Sequence, residues 1–342
     1  MTQARLLCVN PNVSIDRTLV VPGFAAGRVW RAQAVLAVCG GKGPNVARVA
    51  RRLGREAVCC GFLGGATGDA AADLADREGL AARWTRIDGD SRTCVVIVDG
   101  AGGGGGEATV INEPGPPVTA ADWQRLVEDV RAEAAHAAAA CLCGSMPPGV
   151  PDGGVAALVR DLAATGRPVW IDTSGAALAE AAGAAAPGSD LPAGLPVGLP
   201  AGLPAGLPVG LKVNAAEAGS LLGRPVPEDD PRAAAAAADA LRRHGPATVA
   251  VTLGAAGAVL ADGAGAWVVR PPAVTAVSAV GSGDAFLAGL ADALLDGLPA
   301  PEALRRAAAC GAANALQVGG GQVDPADVAR LAEEVTVVPV GG

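Results

Sequence analysis

VTAVSAVGSGDAFLAGLADALLDG, residues 274–297, is the stretch that decides how the rest of the chain is interpreted. Its β-branched first part, residues 274–280, predicts a buried strand, and the apolar spacing of the second part predicts a helix that ends at Gly297. The turn between them consists of Gly281, Ser282 and Gly283. The backbone N–H groups from this turn to the helix start are expected to point outward unpaired. With the positive end of the helix dipole behind them, they would bind phosphate.

Asp284 falls in the first turn of this predicted helix. A negative charge beside a phosphate site weakens binding, so the aspartate makes sense there as a base that takes a proton from an alcohol attacking the phosphate. The alternative is an ordinary strand-turn-helix unit with an acidic residue near the helix start, which is common in α/β proteins. Both interpretations fit this stretch taken alone.

The composition excludes several classes of protein. A chain of 342 residues can build one large α/β domain or two small ones. The net charge of −8 and the pI near 4.9 argue against a surface for nucleic acid or an anionic membrane. Residues 1–9 run into a strand-like segment without a signal peptide, so a cytoplasmic location is expected. The eight scattered cysteines are interpreted as small buried side chains in a reducing compartment, and neither a zinc site nor histidine-based catalysis is expected.

A second glycine-rich loop, GGKGPN, occupies residues 40–45. Its glycines let a ligand approach the backbone, Lys42 offers a positive charge, and Asn45 offers both a donor and an acceptor. The loop is not a Walker A motif, because it lacks the GKS or GKT ending. Four arginines on the predicted helix that follows are expected to form a solvated face: Arg48, Arg51, Arg52 and Arg55.

Residues 191–210 are five tandem copies of Leu-Pro-Ala/Val-Gly. Proline removes a hydrogen-bond donor and glycine raises the entropic cost of order, so neither helix nor sheet is favoured. A period of four is too short for a solenoid. The segment is therefore predicted to be a disordered or polyproline-like insertion inside a loop.

Predicted strands and helices alternate along the chain, which favours a mostly parallel sheet with helices on both faces. Ligands of such sheets bind at the carboxyl ends of the strands. Several polar or glycine-rich positions follow predicted strands and should converge there: Asp16, the loop at 40–45, Ser145, Asn214, Gly254 and the turn at 281–284. Asn214 and Glu217 lie three residues apart at a predicted helix start, so both can face one ligand or a hydrated Mg²⁺. This convergence favours the enzyme interpretation.

Six short motifs occur in an order typical of one family: 40–47 (GGKGPNVA), 112–116 (NEPGP), 144–149 (GSMPPG), 172–175 (DTSG), 214–217 (NAAE) and 280–284 (VGSGD). With them the chain resembles the phosphofructokinase B branch of the ribokinase-like sugar kinases over residues 5–333, apart from the insertion. The resemblance implies a ribokinase-like three-layer α/β sandwich with a mostly parallel central sheet, in a single kinase domain over residues 1–335. It also implies a small β-sheet lid from residues 17–38 and 83–113.

The resemblance implies roles for individual residues. Asp284 matches the family's catalytic base, and its anion hole is matched by Gly281, Ser282 and Gly283. Cofactor contacts are matched by Lys212, Asn214 and Glu217, of which the last two would hold magnesium through water. An ATP-contacting loop is matched by Thr252, Gly254 and Gly257. Sugar-phosphate contacts are matched by Asp16, Gly41, Lys42, Asn45 and Ser145. Arg92 matches a phosphate-binding arginine on the lid, and Arg28 matches a basic residue that reaches the neighbouring subunit's site.

The activity implied by the resemblance is transfer of the γ-phosphoryl group of ATP, with Mg²⁺, to a primary hydroxyl of a ketohexose monophosphate. Fructose-1-phosphate is the first choice, and tagatose-6-phosphate and fructose-6-phosphate stay open because Lys42 and Arg92 can bind either phosphate. A non-catalytic sensor of sugar phosphate or nucleotide is the alternative of another class. A nucleoside kinase would leave Lys42 and Arg92 unexplained. A homodimer through the apolar face of the lid is expected, with no nucleic-acid or membrane partner.

Overall fold

The computed structural model describes residues 4–99, 108–183 and 209–340. Helices within these ranges are α1 (Lys42–Arg52), α2 (Gly65–Arg77), α3 (Ala120–Ala134), α4 (Gly154–Ala163), α5 (Gly175–Ala181), α6 (Ala215–Leu222), α7 (Pro231–Arg242), α8 (Ser282–Leu295), α9 (Ala300–Ala315) and α10 (Pro325–Glu334). Strands are β1 (Leu6–Asn12), β2 (Ser14–Val20), β3 (Ala34–Gly40), β4 (Ala57–Gly64), β5 (Ala81–Ile87), β6 (Arg92–Val98), β7 (Ala108–Asn112), β8 (Ala139–Cys143), β9 (Val169–Asp172), β10 (Val209–Asn214), β11 (Thr248–Thr252), β12 (Ala258–Ala261), β13 (Ala266–Arg270) and β14 (Thr336–Pro339). None of these helices is long and apolar enough to cross a membrane.

A ten-stranded sheet forms the centre of the molecule, in the order β14-β13-β12-β11-β10-β9-β8-β1-β4-β5. The strands from β11 to β5 are parallel, and β12, β13 and β14 extend the sheet with antiparallel pairing. Strands covered on both faces are expected to be continuous apolar runs. β4, AVCCGFLG, is such a run, and every one of its residues is buried.

Helices cover both faces of the central sheet. One core contains side chains of α3, α4, α6 and α7, and the other contains side chains of α1, α8, α9 and α10. Leu7 and Val9 of β1 belong to the first core and Leu6 and Cys8 to the second, as the two-residue period of a strand requires. The predicted three-layer α/β sandwich is therefore confirmed. All eight cysteines are buried and free, as predicted.

A separate four-stranded sheet, in the order β3-β2-β6-β7, forms the predicted lid. β2 pairs antiparallel with β3 and parallel with β6, and β6 pairs antiparallel with β7. The range 83–113 predicted for the second part of the lid is wrong at its start. Residues 81–87 form β5, which pairs with β4 at the edge of the central sheet, so this part of the lid begins at Arg92.

The strand predicted for residues 274–280 is not present, because this segment is irregular. β13, the strand that precedes it in the chain, already has β12 and β14 as neighbours, so it offers no free edge. The backbone N–H groups of Val277 and Ser278 donate instead to the carbonyl of Ala315 at the end of α9. High β-propensity therefore does not place a segment in a sheet when its backbone groups find partners elsewhere.

Two of the four arginines predicted to face solvent are buried. Arg48 and Arg55 expose 5% and 8% of their surface. Arg55 forms ion pairs with Asp292 of α8 and with Asp296 just beyond it, and Arg48 pairs with Glu78. The prediction failed because the sequence of one helix does not show which carboxylates other elements bring against it.

Strand β10 begins inside the repeated segment. Val209 and Gly210, the last two residues of the fifth copy, pair with Val169 and Trp170 of β9. Val209 is only 1% exposed. The predicted insertion therefore ends before Val209 and not at residue 210, and its residues 191–208 lie outside the described ranges.

Candidate active site

The carboxyl ends of the parallel strands face the lid across a cavity of about 390 Å³. Ten residues that the sequence assigned to the site line this cavity: Asp16, Gly41, Lys42, Asn45, Arg92, Ser145, Lys212, Gly281, Gly283 and Asp284. They come from both sheets and from the starts of α1 and α8. The convergence predicted from the strand ends is therefore observed for these residues.

A larger groove of about 670 Å³ lies at the opposite end of α8, against α9 and α10. Its four central charged side chains, Arg55, Asp292, Asp296 and Arg306, pair with one another. Opposite charges that neutralise each other in this way stabilise the packing of the helices and leave no group directed at a ligand. We therefore place the active site in the smaller cavity.

Asp284 lies in the first turn of α8 at the cavity wall, with 6% of its surface exposed. Its Oδ2 accepts a hydrogen bond of 2.7 Å from Asn45 Nδ2. Burial raises the pKa of Asp284 from the ordinary 3.8 to about 6; the charge of Asp172 adds to the rise, whereas Lys42, Lys212 and the Asn45 hydrogen bond oppose it. A carboxylate with such a pKa can accept a proton from an alcohol bound in the cavity.

Asp172, at the end of β9, is completely buried and joins two lysines. Its Oδ1 lies 2.6 Å from Lys42 Nζ, and its Oδ2 lies 2.9 Å from Lys212 Nζ. Burial alone would raise the pKa of Asp172, but the two ammonium groups lower it overall. Burial also lowers the pKa of Lys42, but the charge of Asp172, the charges of Asp284 and Glu217 and the hydrogen bond to Asp172 together raise it overall. The ion pairs thus hold two positive groups at the cavity, where phosphate oxygens can bind.

The turn before α8 requires glycine at its first position. Gly281 has a φ of +83°, and a Cβ there would lie 2.4 Å from the Cα of Gly320. A Cβ at Gly283 would lie 2.8 Å from Lys212 Nζ, so that ammonium group sits beside the start of the helix. Gly281 and Gly283 line the cavity, and Ser282 does not.

The prediction that all amides of this turn point outward unpaired is wrong for two of them. Ser282 N–H donates to Ala279 O at 3.2 Å, and Asp284 N–H donates to Gly281 O at 3.1 Å. A left-handed glycine folds the chain back, so that the tight turn uses these two donors itself. Within the described residues, the amides of Gly281 and Gly283 make no hydrogen bond. These two amides are the ones available to an anion.

Asp16 does not follow the first strand directly, as the sequence suggested, but lies within lid strand β2, opposite Val38 and Cys94. Its carboxylate accepts a hydrogen bond of 2.6 Å from the Ser14 hydroxyl and one of 3.3 Å from the Gly41 N–H. The lid and the glycine loop are thereby joined at the cavity. The correction arises because β1 extends to Asn12 and β2 begins at Ser14, so that Asp16 belongs to the second strand.

Asn12 links two of the predicted substrate contacts. Its Nδ2 donates to Ser145 Oγ at 3.2 Å, and its carbonyl accepts hydrogen bonds of 3.1 and 3.0 Å from the Arg92 guanidinium. Arg92 Nη1 also donates to the carbonyl of Glu113 at 3.3 Å. These contacts fix Arg92 and Ser145 at the cavity.

Asn214 and Glu217 form a capping box at the start of α6. Glu217 N–H donates to Asn214 Oδ1 at 2.8 Å, and Asn214 N–H donates to Glu217 Oε2 at 2.9 Å. Neither residue lines the cavity, although the charge of Glu217 acts on Lys42. Over the described ranges, no group of three or more histidine, cysteine, aspartate or glutamate side chains can hold a metal directly. The oxygens of this pair fit a hydrated Mg²⁺ bound through water, the form that this ion prefers.

The predicted ATP-contacting residues lie along the same edge of the sheet, outside the cavity lining. Thr252 is in register with Asn214, Gly254 begins an exposed 3-10 turn, and Gly257 follows the turn with a φ of +111°. Arg28 is exposed in the loop between β2 and β3 and does not line the cavity. A single chain does not bring Arg28 to the site, and its role stays a prediction.

The sequence assigned no role to several residues at the site. Cys94 and Val96 line the cavity together with Arg92, and their two-residue spacing could have shown that they share a face of β6. Asp172 could have been suspected, because the apolar strand VWID ends on a carboxylate. Arg48 gave no such signal, because a buried and an exposed arginine on a helix look the same in sequence.

Phosphoryl transfer to an alcohol requires a base for the hydroxyl and positive groups for the phosphates. One cavity of this protein supplies both. The site is therefore that of a phosphotransferase. The comparison with known families agrees. The pattern described as pfkB family carbohydrate kinase matches residues 4–192 and 202–327. The chain therefore belongs to the pfkB family of carbohydrate kinases, and this membership implies the use of ATP.

Two curated relatives extend over nearly the whole chain. Identity to the 1-phosphofructokinase of Rhodobacter capsulatus is 34% over 334 residues, covering 97% of each protein. Identity to the 1-phosphofructokinase of Escherichia coli strain K12 is 30% over 335 residues, covering 98% of each. Among solved structures, the tetrameric inhibited form of phosphofructokinase-2 from Escherichia coli matches with a TM-score of 0.80 at 24% identity, over 97% of this chain and 99% of that one. The predicted family and fold are confirmed.

Proposed function

We propose that this protein transfers the γ-phosphoryl group of ATP to a primary hydroxyl of fructose-1-phosphate, giving fructose-1,6-bisphosphate. The observation that carries the proposal is the buried Asp284, which faces a cavity also lined by Lys42, Lys212 and Arg92. A base and several cations in one space suit a reaction between two phosphorylated substrates. The relatives named 1-phosphofructokinase support the choice of sugar.

In this proposal Asp284 takes the proton of the attacking hydroxyl. Asn45 occupies Oδ2, and Oδ1 accepts no hydrogen bond from any described residue, so it is the oxygen that can face the hydroxyl. With a pKa of about 6, the carboxyl is mostly ionised at neutral pH and still basic enough to act. The free amides of Gly281 and Gly283, together with Lys212, would stabilise the charge on the transferring phosphoryl group.

Mg²⁺ would neutralise part of the charge on the ATP phosphates. We assign its water-mediated contacts to Asn214 and Glu217, whose oxygens lie at the same sheet edge as the cavity. The end of β11, with Thr252, Gly254 and Gly257, is assigned to the nucleotide for the same reason of position.

We assign the sugar phosphate to the lid side of the cavity. Arg92 and Lys42 offer positive charge, Asn45 and Ser145 offer hydrogen bonds, and the Asp16 carboxylate can accept them from sugar hydroxyls. Position 41 requires glycine, because its φ is +109° and a Cβ would lie 2.7 Å from Asn10 Nδ2. These groups account for a phosphorylated sugar better than for a nucleoside.

An ADP-release screen tests the proposal, with fructose-1-phosphate, fructose-6-phosphate, tagatose-6-phosphate, fructose and adenosine as acceptors. We expect the highest kcat/KM with fructose-1-phosphate and very low values with the two unphosphorylated acceptors. A higher kcat/KM with either 6-phosphate would assign that sugar phosphate as the substrate and leave the proposed reaction type unchanged. No turnover with any sugar phosphate would overturn the function and favour a non-catalytic sensor.

We further propose a homodimer formed by two lids. Apolar side chains of the lid and its first loop are exposed: Val35 at 52%, Ile111 at 57% and Val29 at 93%. Covering such side chains stabilises a small sheet, and packing of two lids would bring Arg28, next to Val29, towards the neighbouring subunit. Sedimentation at micromolar concentration should show a dimer. A fully active monomer would contradict this arrangement.

A further inference from the structure

We propose that Arg48 is a positioning residue for the catalytic base. It orients the side-chain amide of Asn45 so that the amide donates to Asp284, and it ties this hydrogen bond to lid strand β3. The inference deepens the proposed function, because it rests on Asp284 acting as the base.

The orientation of Asn45 follows from the chemistry of the guanidinium group. Arg48 lies three residues after Asn45 on α1, with 5% of its surface exposed. Its Nη1 donates to Asn45 Oδ1 at 2.8 Å, while Asn45 Nδ2 donates to Asp284 Oδ2 at 2.7 Å. A guanidinium group has only donors, so it must face the amide oxygen. The NH₂ end of Asn45 is thereby turned towards the carboxylate.

The same guanidinium holds two further elements of the site. Nη1 also donates to the carbonyl of Gly320 at 3.0 Å, and Gly320 is the residue against which Gly281 packs. Nη2 donates to the carbonyl of Cys39 in β3 at 2.8 Å. Arg48 thus connects three parts of the site. They are Asn45, which binds the base, Gly320, which packs against the anion-binding turn, and β3, the lid strand that leads into the glycine loop.

Glu78 anchors this arrangement from the end of α2. Its Oε2 accepts a hydrogen bond from Arg48 Nε, and its Oε1 accepts one of 3.0 Å from the Cys39 N–H. Both backbone polar groups of Cys39 are therefore held, one by each member of the ion pair. A lysine at position 48 could pair with Glu78, but its single ammonium group cannot reach acceptors on so many elements.

Loss of the guanidinium should act on the base through Asn45. The charged groups that face Asp284 are Asp172, Lys42 and Lys212, and none of them is a hydrogen-bond partner of Arg48. Without Arg48 the Asn45 amide is free to turn its oxygen towards the carboxylate. That change replaces a hydrogen-bond donor with a repulsive dipole and favours the protonated acid.

The test is an infrared titration of the Asp284 carboxyl in the full chain, isolated by subtracting the spectrum of Asp284→Asn. Arg48→Lys should raise the midpoint by about one pH unit, as expected for loss of one hydrogen bond to a charged group. In an Asn45→Ala background the same substitution should add no further shift. Arg52→Lys, an exposed position on the same helix, is the control and should leave the midpoint unchanged.

Turnover supplies the second readout. Arg48→Lys should lower kcat several-fold on the acidic side and leave its plateau at high pH nearly unchanged, because only the ionised fraction of the base is altered. If Arg48→Lys does not fold, Glu78→Gln loosens the same guanidinium and should shift the midpoint in the same direction. An unchanged midpoint, or an equal shift in the Asn45→Ala background, would overturn the inference. Because the titration needs no activity, a wild type without turnover would overturn the proposed function alone.

Discussion

Lowering the pH is a direct perturbation of the proposed base. With a pKa of about 6, Asp284 is about nine-tenths ionised at pH 7 and about one-tenth ionised at pH 5. Only the ionised form can accept the proton of the sugar hydroxyl. If the chemical step limits turnover, kcat should fall about tenfold for each pH unit below about 6.

The assay is kcat at saturating ATP and sugar phosphate over about pH 4.5 to 8, measured as ADP release. Circular dichroism at each pH checks that the enzyme remains folded. A kcat that stays level down to about pH 5 would place the midpoint near the ordinary aspartate value of 3.8 and refute the reasoning that burial beside Asp172 controls this carboxyl.

The raised pKa of Asp284 also sets the sign of a stability effect. Between 3.8 and about 6 the folded state keeps a proton that the unfolded chain has lost, so the free energy of unfolding falls as pH rises through this window. The rise from 3.8 to about 6 corresponds to about 3 kcal/mol, at about 1.4 kcal/mol for each pH unit. Asp284→Asn should therefore stabilise the protein at pH 7 by up to this amount and have little effect below about pH 4 in urea denaturation. A destabilised variant at pH 7 would contradict the cost assigned to the buried charge.

Three further changes test other parts of the account. Gly281→Ala places a Cβ 2.4 Å from backbone and forces a left-handed alanine, so kcat should fall at least about tenfold, measured by ADP release against the wild type. Asp292→Ala leaves Arg55 without its buried partner and should cost roughly 3 kcal/mol in urea denaturation, with KM for the sugar phosphate unchanged. Deleting residues 191–206 should leave folding and turnover nearly intact, whereas deleting residues 191–210 removes the start of β10 and should lower the melting temperature. Equal melting temperatures of the two deletion variants would contradict the boundary at residue 209.

The sequence predicted the layers of the fold and most of the cavity because both depend on local patterns. Apolar strands such as β4 can only be buried in a covered parallel sheet, and the carboxyl ends of such strands meet at one edge. The glycine loop at 40–45 and the turn at 281–284 follow that rule without knowledge of the contacts. Their convergence on one cavity was therefore predictable.

Contacts between elements that are distant in the chain could not be predicted from such local patterns. Lys42 and Lys212 meet on Asp172, and Arg48 reaches both Asn45 and Cys39, although no local pattern connects these residues. The pKa of Asp284 depends on the same long-range arrangement. The irregular segment 274–280 shows the converse case, in which contacts with the end of α9 override a local preference for a strand.

The central claim is that Asp284 is the base. The most direct measurement compares kcat and ATP affinity of Asp284→Asn with those of Asp296→Asn, which carries the same chemical change at the far end of α8, where the carboxylate is 44% exposed. Asp284→Asn keeps the shape of the side chain, so kcat with the best sugar phosphate should fall by about 10²–10⁴, while ATP affinity holds or improves because a nearby negative charge is gone. The control should retain turnover close to that of the wild type. Near-normal turnover of Asp284→Asn would contradict the assignment of the base.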